Sequence, residues 1–267
     1  MHLCFNGTAQ PPVAGGLPAY FTPVEPPVVT ARGDDARIEN RGGYYYIPAV
    51  TPFLLFNRQT LIMTPKVVRL ISLKKTPKNP YPLFEQWFET AVRAGLELPN
   101  AMTLATASKN GKPAARIVLL KDVNRKGICF FTNYRSRKGT ELHANPRATL
   151  LFYWAELDLQ IRIDGRVKKV GARESDAYFS TRTRESQIGA HASHQSKPMA
   201  DQSVLFAEFG RLAKKFEGKE VPRPKHWGGY RLAPDSFEFW KGRDFRLHDR
   251  LLYTKSGGSW KKTLLFP

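Results

Sequence analysis

The stretch that decides the fold has two parts, Phe237-Glu238-Phe239-Trp240 and, after five residues, Arg246-Leu247-His248-Asp249-Arg250. The segment alternates like a β-strand, in which successive side chains point to opposite faces of the sheet. The two phenylalanines are therefore expected on one face, and Glu238 and Trp240 on the other. In the second part, the same alternation places the two arginines and the histidine together on one face.

Two guanidinium groups and an imidazole on one face repel one another unless an anionic or aromatic group lies over them. The second part of this stretch therefore suits a planar phosphorylated ligand. The alternative is the solvated face of an ordinary antiparallel strand, which has the same pattern of charged and apolar residues. This stretch alone leaves both interpretations open.

A second basic constellation lies upstream, in Arg116-Ile117-Val118-Leu119-Leu120-Lys121. The four apolar residues predict a buried strand with a fixed charge at each end. Residues 128–133 predict another strand, and Ser136-Arg137-Lys138 then opens a helix for which Ser136 suits the N-cap. A helix N-terminus beside two cations favours phosphate, although such a start is also common in a capped surface helix.

Outside these stretches, the sequence predicts a mainly β chain with a few helices. Asn110-Gly111 indicates a hairpin, and no glycine-rich dinucleotide fingerprint follows the first strand, which argues against a Rossmann domain. Mostly antiparallel strands with helices outside predict a Greek-key barrel. The predicted strands are 102–107, 114–121, 128–133, 148–154, 159–170, a segment around Tyr230, 237–240 and 245–253. The predicted helices are 83–94, one from Ser136, 174–181 and 201–216.

Residues 1–75 differ from the rest of the chain because they are rich in Pro and Gly and have no sustained period. They predict a poorly ordered or non-native N-terminal extension, and residues 76–267 predict the folded domain. No apolar run reaches the length of about 18 residues that a membrane span needs. No secretory signal is evident, and only two cysteines, Cys4 and Cys129, are present. These features predict a cytoplasmic protein without a disulfide framework.

The chain carries 42 Lys and Arg against 23 Asp and Glu, a formal net charge of +19. Nucleic acid is one partner that such a charge suggests. The cations are scattered, however, and no zinc-finger, KH or RRM pattern appears, so we expect no nucleic acid partner. His191 and His194 have a spacing compatible with metal binding, but no other ligand residues accompany them. We therefore expect no metal site.

Several motifs together resemble one family, the pyridoxine (pyridoxamine) 5′-phosphate oxidases, over residues 80–260. This family consists of homodimeric, FMN-dependent enzymes with a split β-barrel fold. The resemblance implies this fold, FMN at the subunit interface and a phosphorylated small-molecule substrate. The motifs, in chain order, are Arg116–Lys121, Thr132-Asn133, Ser136–Lys138, Ser186–Ala190, Gln195-Ser196, Trp227–Tyr230 and Trp240 followed by Arg246–Arg250.

The resemblance also implies the site residues. Arg246 and His248 match the catalytic residues that flank the substrate ring. The spacing of Tyr178, Arg182 and Ser186 places them on one helix face if the helix continues. Matches to the substrate-binding residues are Lys121, Tyr178, Arg182, Ser186, Arg246, Leu247 and His248. Matches to the FMN-binding residues are Arg116, Ile117, Val118, Leu119, Leu120, Lys121, Phe131, Thr132, Arg137, Lys138, Gln160, Gln195, Ser196, Trp240 and Arg250.

The implied activity is oxidation of pyridoxine or pyridoxamine 5′-phosphate to pyridoxal 5′-phosphate. A hydride would pass from the C4′ carbon to FMN, and O2 would reoxidise the flavin and give H2O2. Flavin chemistry asks little of protein side chains beyond orientation and electronic tuning, which fits a chain without a nucleophile elbow. Two alternatives stay open: a flavin-binding split-barrel protein with another substrate, and a weakly active binding module.

Overall fold

A computed structural model describes residues 75–267, and within them nine strands form one sheet in which all neighbours pair antiparallel. The sheet has the strand order β2-β1-β5-β6-β7-β4-β3, with β8 paired to β7 and β9 to β8. The strands are β1 (Ala101–Ala107), β2 (Pro113–Leu119), β3 (Asp122–Asn124), β4 (Gly127–Asn133), β5 (Arg147–Trp154), β6 (Leu159–Lys169), β7 (Trp227–Lys241), β8 (Asp249–Ser256) and β9 (Ser259–Leu264).

The connection between β2 and β3 shows that the sheet curls round on itself. These strands stand at opposite ends of the strand order, yet only Leu120 and Lys121 separate them. Because three Cα–Cα steps join Leu119 to Asp122, these residues lie at most about 11 Å apart, so the two ends of the sheet must approach each other. The Lys121 N–H donates to the Cys129 carbonyl on β4 at 2.9 Å, across this junction. The arrangement is that of a barrel.

The long strand β7 changes its second partner along its length. It pairs with β6 from Tyr230 to Lys241, with β4 over its first six residues, and with β8 over its last six. This change splits the sheet around β7. A register shift at Asp164/Gly165 bends the β6–β7 pair. A Cβ at Gly165 would lie 2.2 Å from the Ala233 carbonyl oxygen, so only glycine fits this close approach.

Five helices accompany the sheet within residues 75–267. The first begins after Asn79, whose side chain accepts a hydrogen bond from the Tyr81 N–H, and has proline at its first position. Its buried face carries Phe84 and Phe88 into the core. The helices are α1 (Pro80–Arg93), α2 (Arg137–Ala144), α3 (Ala172–Ser180), α4 (Arg184–Ala192) and α5 (Gln202–Lys215).

Buried apolar side chains form two clusters. The larger fills the barrel and includes Phe84, Phe130, Phe152, Phe237 and Phe239. The smaller joins α3, α4 and α5 to the start of β7, with Trp227 among its buried members and Phe131 and Tyr178 packed against it. The candidate site residues on β4 and α3 therefore lie at the border of the helical cluster.

The predicted mainly β fold is confirmed, and so are the hairpin after β1 and the Ser136 N-cap. The strand segments predicted around Tyr230 and at 237–240 are one continuous strand, β7. The sequence did not predict β3, α4 or β9. Helix α3 ends at Ser180 and α4 starts at Arg184, so the helix does not continue, and Tyr178, Arg182 and Ser186 do not share one helix face.

Two further strand predictions are only partly right: β2 covers most of residues 114–121, and β8 covers residues 249–253. Residues Ile117–Leu120 do not form a buried strand, because β2 is an edge strand that ends at Leu119, and the Ile117 side chain is 63% exposed. Residues 245–248 do not form a strand, because a short 3-10 turn covers Asp244–Arg246 and β8 begins only at Asp249. Arg246, His248 and Arg250 therefore do not share one strand face.

The predicted N-terminal extension, residues 1–75, falls outside the described residues except for Lys75. Within residues 75–267, no helix combines the length and apolarity that crossing a membrane requires.

Candidate functional site

A cavity of about 320 Å³ opens between the edge strand β2 and the N-terminus of α2. Its mouth is polar, and three cationic side chains contribute to it. The lining residues are Pro113, Ala114, Ala115, Arg116, Arg137, Lys138, Gln195 and Ser196. Five of the predicted FMN-binding residues thus meet at one cavity.

The short connection from β4 to α2 places the helix N-terminus at this cavity. The Ser136 hydroxyl donates to the Asn133 carbonyl at 2.7 Å, and its oxygen accepts from the Gly139 N–H at 3.4 Å. This cap starts the helix three residues after β4 ends. Unpaired N–H groups and the helix dipole favour an anion at such a position.

Lys138 is the most buried cation at the cavity, with 8% of its surface exposed. Its ammonium group lies 3.2 Å from the Thr132 hydroxyl, 3.2 Å from the Gln195 amide oxygen and 3.4 Å from the Ser136 hydroxyl. These three acceptors are neutral. Burial, and next the charge of Arg116, lower the pKa of Lys138. An anion in the cavity would relieve both effects.

Glu141 organises the other two cations, and the sequence analysis missed it. Its carboxylate accepts from Arg116 at 3.1 Å, from Arg137 at 2.8 Å and from the Thr106 hydroxyl at 2.5 Å. Burial alone would raise the pKa of Glu141, but these hydrogen bonds outweigh it and lower the pKa. The sequence does contain a signal for this contact: Glu141 lies four residues after Arg137, a spacing that brings two side chains together on a helix.

The charges around the cavity fit a phosphate monoester. Three cations and one carboxylate leave two positive charges, against the charge of about −1.5 to −2 that a phosphate monoester carries at pH 7. Guanidinium and ammonium groups are the usual protein partners of phosphate oxygens. The residues present therefore fit the phosphate group of FMN.

A second cationic cluster lies on the other side of β4. Phe131 stacks on Tyr178 with ring centroids 3.9 Å apart. The Lys121 ammonium lies 5.7 Å from the Tyr178 ring centroid, and the Arg182 guanidinium lies 4.6 Å from that of Trp227. Arg182 Nη1 is buried and has no hydrogen-bond partner within residues 75–267. A buried donor without a partner is costly, so this cluster favours a ligand acceptor.

Burial and charge shift the pKa values in this cluster. Burial, and next the charge of Arg182, lower the pKa of Lys121, and burial lowers the pKa of Arg182. Burial raises the pKa of Tyr178 to about 12. Ser186 lies in the first turn of α4, where its hydroxyl accepts from the Thr183 hydroxyl at 3.0 Å. The cluster therefore holds two cations in a desolvated place suited to a second phosphate.

A third group of predicted residues lies at the far end of β7. Trp240 stands opposite Gln160 on β6 and Arg250 on β8. The Trp240 and His248 ring centroids are 4.7 Å apart. Arg250 donates to the buried Glu238 carboxylate at 2.8 Å, and this carboxylate, which the sequence analysis did not select, also accepts from Arg162 at 2.7 Å.

Arg246 and Leu247, the two other residues predicted at the substrate ring, are exposed to solvent. The exposed fraction of Leu247 is 68%. Phe245 and Arg246 have φ angles of 56° and 62°, in the left-handed region. For residues other than glycine this conformation costs about 1–3 kcal/mol each, and such strain tends to occur at functional sites.

The chain does not bring all of the predicted site residues together. Gly228, which stands opposite Thr132, is twelve residues before Trp240 on β7, roughly 40 Å along the strand. Within residues 75–267, no hydrogen bond, ion pair or ring contact joins the Trp240 group to the cavity at Lys138. Ile117 and Val118 lie on the edge strand beside the cavity, whereas Leu120 is buried in the barrel core.

This combination of a split β-barrel and a cavity suited to phosphate defines the class of flavin-nucleotide-binding split-barrel proteins. A solved FMN-binding protein from Nostoc punctiforme, described as related to pyridoxamine 5′-phosphate oxidase, shares the fold with a TM-score of 0.58 at 16% identity, over 72% of this chain and 100% of that one. The model of the family described as pyridoxamine 5′-phosphate oxidase matches residues 88–215. A second model, the pyridoxine 5′-phosphate oxidase C-terminal dimerisation region, matches residues 227–267.

Sequence relatives give the same family. The pyridoxine/pyridoxamine 5′-phosphate oxidase of Rubrobacter xylanophilus is 52% identical over 71% of this chain and 87% of its own length. That of Paraburkholderia phymatum is 53% identical over 74% and 93%. The structure of PhzG from Burkholderia lata, in complex with tetrahydrophenazine-1-carboxylic acid, has a TM-score of 0.69 at 36% identity, over 73% of this chain and 95% of that one.

The chain belongs to the pyridoxine/pyridoxamine 5′-phosphate oxidase family. The family is FMN-dependent, so the cofactor predicted from the sequence is confirmed. The split-barrel fold is confirmed as well. The match to the C-terminal dimerisation region supports the predicted association of two chains.

Proposed function

We propose that this protein oxidises pyridoxine 5′-phosphate and pyridoxamine 5′-phosphate to pyridoxal 5′-phosphate, with FMN as cofactor and O2 as electron acceptor. The observation that carries the proposal is the second cationic cluster. Lys121 and Arg182 lie among aromatic rings, and one buried donor of Arg182 has no partner among residues 75–267. The first cavity suits the phosphate of the cofactor. A second site that suits a phosphate therefore favours a phosphorylated substrate.

The FMN phosphate would be held at the first cavity. Arg116, Arg137 and Lys138 supply its positive charges, and Gln195 and Thr132 orient the Lys138 ammonium. The edge strand β2 would lie along the cofactor through Ile117, Val118 and Leu119. Trp240 lies far along β7 from this cavity, and Gln160 on β6 and Arg250 on β8 pair with it. We therefore propose that these three residues reach the cofactor from the second chain of a homodimer.

The substrate phosphate would be bound by Lys121, Tyr178, Arg182 and Ser186. At the other end of the substrate, away from its phosphate, Arg246, Leu247 and His248 would face the substrate ring. A phosphate gripped by fixed cations limits how the rest of a small ligand can tilt, and correct orientation accounts for much of the rate gain in such reactions. The Phe131, Tyr178 and Trp227 rings keep water away from the same place.

Bound FMN would accept two electrons from the substrate. O2 would then accept these electrons from the flavin, which gives H2O2. The side chains of this protein then have three tasks. Lys121 and Arg182 hold the substrate by its phosphate, His248 and Arg246 limit the position of the ring, and Lys138 holds the cofactor.

PhzG supports a second candidate function, because it binds a tricyclic carboxylic acid and is 36% identical to this chain. Such a ligand carries a carboxylate and no phosphate. A site that binds this carboxylic acid does not need two buried cations arranged for a phosphate. The higher identity to the oxidases, 52–53%, and the Lys121–Arg182 cluster favour the phosphorylated substrates.

The test is peroxide release by the purified, FMN-loaded protein. We expect peroxide with pyridoxine 5′-phosphate, much less with pyridoxine, and none with tetrahydrophenazine-1-carboxylic acid. The variant Arg182→Ala should raise KM for the phosphorylated substrate about tenfold to a hundredfold, since the phosphate is held alike in ground and transition states. Its kinetics with pyridoxine should not change.

The variant Arg246→Ala should instead lower kcat, because a misplaced ring reacts more slowly. Both variants should keep bound FMN, which absorbance measures. If Arg182→Ala leaves KM unchanged and releases FMN, Arg182 serves the cofactor and the substrate assignment is wrong. Turnover of the phenazine acid without turnover of the phosphates would support the second candidate.

A further inference from the structure

The loop from Gly242 to Asp249, here called the 242–249 loop, joins β7 to β8 and carries Arg246 and His248. Its backbone is strained, because Phe245 and Arg246 are consecutive non-glycine residues with positive φ. The Phe245 side chain is 92% exposed, so packing within the chain does not hold it in place. Other contacts must therefore keep the loop in this conformation.

The start of the loop is fixed by backbone contacts. The Gly242 N–H donates to the Asp158 carbonyl at 2.8 Å, and a Cβ at Gly242 would lie 2.8 Å from the Asp158 Cβ. Inside the loop, the Leu247 N–H donates to the Asp244 carbonyl at 3.1 Å. These contacts fix where the loop leaves β7 but do not connect its two ends.

Arg243 connects the two ends of the loop. Its guanidinium donates to the Asp249 carboxylate from Nε at 2.9 Å and from Nη2 at 2.5 Å, and both side chains are largely buried. Its backbone N–H donates to His248 Nδ1 at 3.1 Å. A nitrogen that accepts from an N–H carries no proton of its own, so the proton of the neutral His248 ring lies on Nε2.

We propose that Arg243 is a positioning residue that holds the strained 242–249 loop closed through Asp249 and fixes His248 in the Nε2–H tautomer beside Trp240. Arg243 contacts neither substrate nor cofactor in this role. It acts through His248 and Arg246, so its effect on catalysis rests on the function proposed above. The tautomer and the loop closure do not depend on that function.

The experiment compares Arg243→Ala and the charge swap R243D/D249R with the wild type, all as FMN-loaded protein. A matched control is Arg211→Ala, which removes the ion pair that Arg211 forms with Glu208 on α5, away from the loop. Two readouts are needed: steady-state kinetics with pyridoxine 5′-phosphate, and the ¹⁵N NMR signals of the His248 ring, which report which nitrogen carries the proton.

Arg243→Ala should lower kcat by roughly tenfold to a hundredfold, the size of effect expected from displaced site residues. FMN affinity should be unchanged, and the His248 signals should change from the Nε2–H form to a mixture of tautomers. The charge swap should recover part of kcat, and Arg211→Ala should match the wild type. The proposal is overturned if Arg243→Ala keeps both kcat and the single tautomer, or if Arg211→Ala loses as much activity.

An inactive wild type would contradict the proposed function but not this inference. In that case, the NMR signals of Arg243→Ala still decide whether Arg243 fixes the His248 tautomer. If Arg243→Ala fails to fold, the charge swap decides instead. If the folded charge-swap variant shows wild-type His248 signals, the proposed role of Arg243 is supported. If the folded charge-swap variant shows a mixture of tautomers, that role is contradicted.

Discussion

Lys138 is nearly buried, and each hydrogen-bond acceptor within reach of its ammonium group is a neutral oxygen. Removing a charge from water costs several kcal/mol unless an opposite charge compensates. The protein therefore keeps a local electrostatic penalty at this residue. An anionic ligand in the cavity would offset the penalty, so the cavity favours a phosphate group.

The first residue-scale prediction concerns Arg137. Its side chain is 57% exposed, so solvent screening reduces the value of its charge. We expect Arg137→Ala to weaken FMN binding about tenfold, the low end of the range for hydrogen bonds to charged groups. Riboflavin, which lacks the phosphate, should bind with unchanged affinity. Quenching of flavin fluorescence measures both constants.

The matched control for this prediction is Arg135→Ala, an exposed arginine two residues away that does not line the cavity. It should leave FMN binding at the wild-type level. Equal weakening of FMN and riboflavin by Arg137→Ala would show that Arg137 does not bind the phosphate.

The second residue-scale prediction is a pH dependence from Lys138, whose pKa is lowered. The protonated ammonium binds the phosphate, and this proton is lost at a lower pH than from an ordinary lysine. The Kd of FMN should therefore rise with pH between about pH 7 and pH 10, where the phosphate itself no longer titrates. Riboflavin titrations over the same range give the control.

The variant Lys138→Arg sharpens this measurement, because arginine keeps its charge throughout the range. Its FMN affinity should be nearly independent of pH on the alkaline side. An alkaline loss of affinity that persists in Lys138→Arg would assign the titration to another group.

The sequence predicted the cations of both clusters but neither of the carboxylates that organise cations. Arg137 and Lys138 stand next to a helix cap, which is a local signal. Glu141 and Glu238 are buried by parts of the chain that are distant in sequence, and each binds two arginines. A sequence shows which residues are charged, but it does not show which charges the fold removes from water.

At the scale of elements, alternation predicted the central strands and failed at the edges. An edge strand and a buried strand can share the same apolar run, so nothing local distinguished Ile117, which is exposed, from Leu120, which is buried. The failure at residues 245–248 has another cause. Positive φ at Phe245 and Arg246 is unfavourable for these residue types, and only the contacts of the surrounding loop impose it.

The element-scale prediction concerns the start of β7, where it passes β4. A Cβ at Gly229 would lie 2.8 Å from Phe131 Cε1 and 2.6 Å from Val170 Cγ2. The variant Gly229→Ala should therefore push the Phe131 ring against Tyr178. We expect a stability loss of about 1–3 kcal/mol, typical of overpacking, and a higher KM for the phosphorylated substrate. Thermal unfolding and kinetics measure the two effects.

Gly210→Ala provides the control for this variant. Gly210 lies inside α5, where an added Cβ meets no atom within 4 Å. This substitution should raise the unfolding temperature slightly, because alanine favours a helix interior more than glycine. If Gly229→Ala proves as stable as Gly210→Ala and keeps its KM, the Phe131–Tyr178 stack does not shape the substrate site.

At the scale of the whole molecule, the predicted site residues of one chain form groups that are distant from one another. The cavity at Lys138 and the Trp240 group lie toward opposite ends of β7, and no hydrogen bond, ion pair or ring contact within residues 75–267 joins them. The C-terminal part of the chain matches a dimerisation region and leaves large apolar side chains, Phe245, Leu247 and Phe266, exposed. Exposed apolar surface of this kind marks protein interfaces. A twofold dimer that covers it could bring the cavity of one chain to the Trp240 group of the other.

This arrangement predicts complementation between two damaged chains, Lys138→Ala and Trp240→Ala. Each homodimer has two impaired sites. A heterodimer has one intact site and one site with both defects, because each site takes Lys138 from one chain and Trp240 from the other. Random exchange makes about half of the dimers heterodimers, so peroxide release should recover to about one quarter of the wild-type rate. A mixture of Lys138→Ala with Arg116→Ala should not recover, because both residues line the same cavity. If the site were contained in one chain, the first mixture would show only the average rate of its two parents.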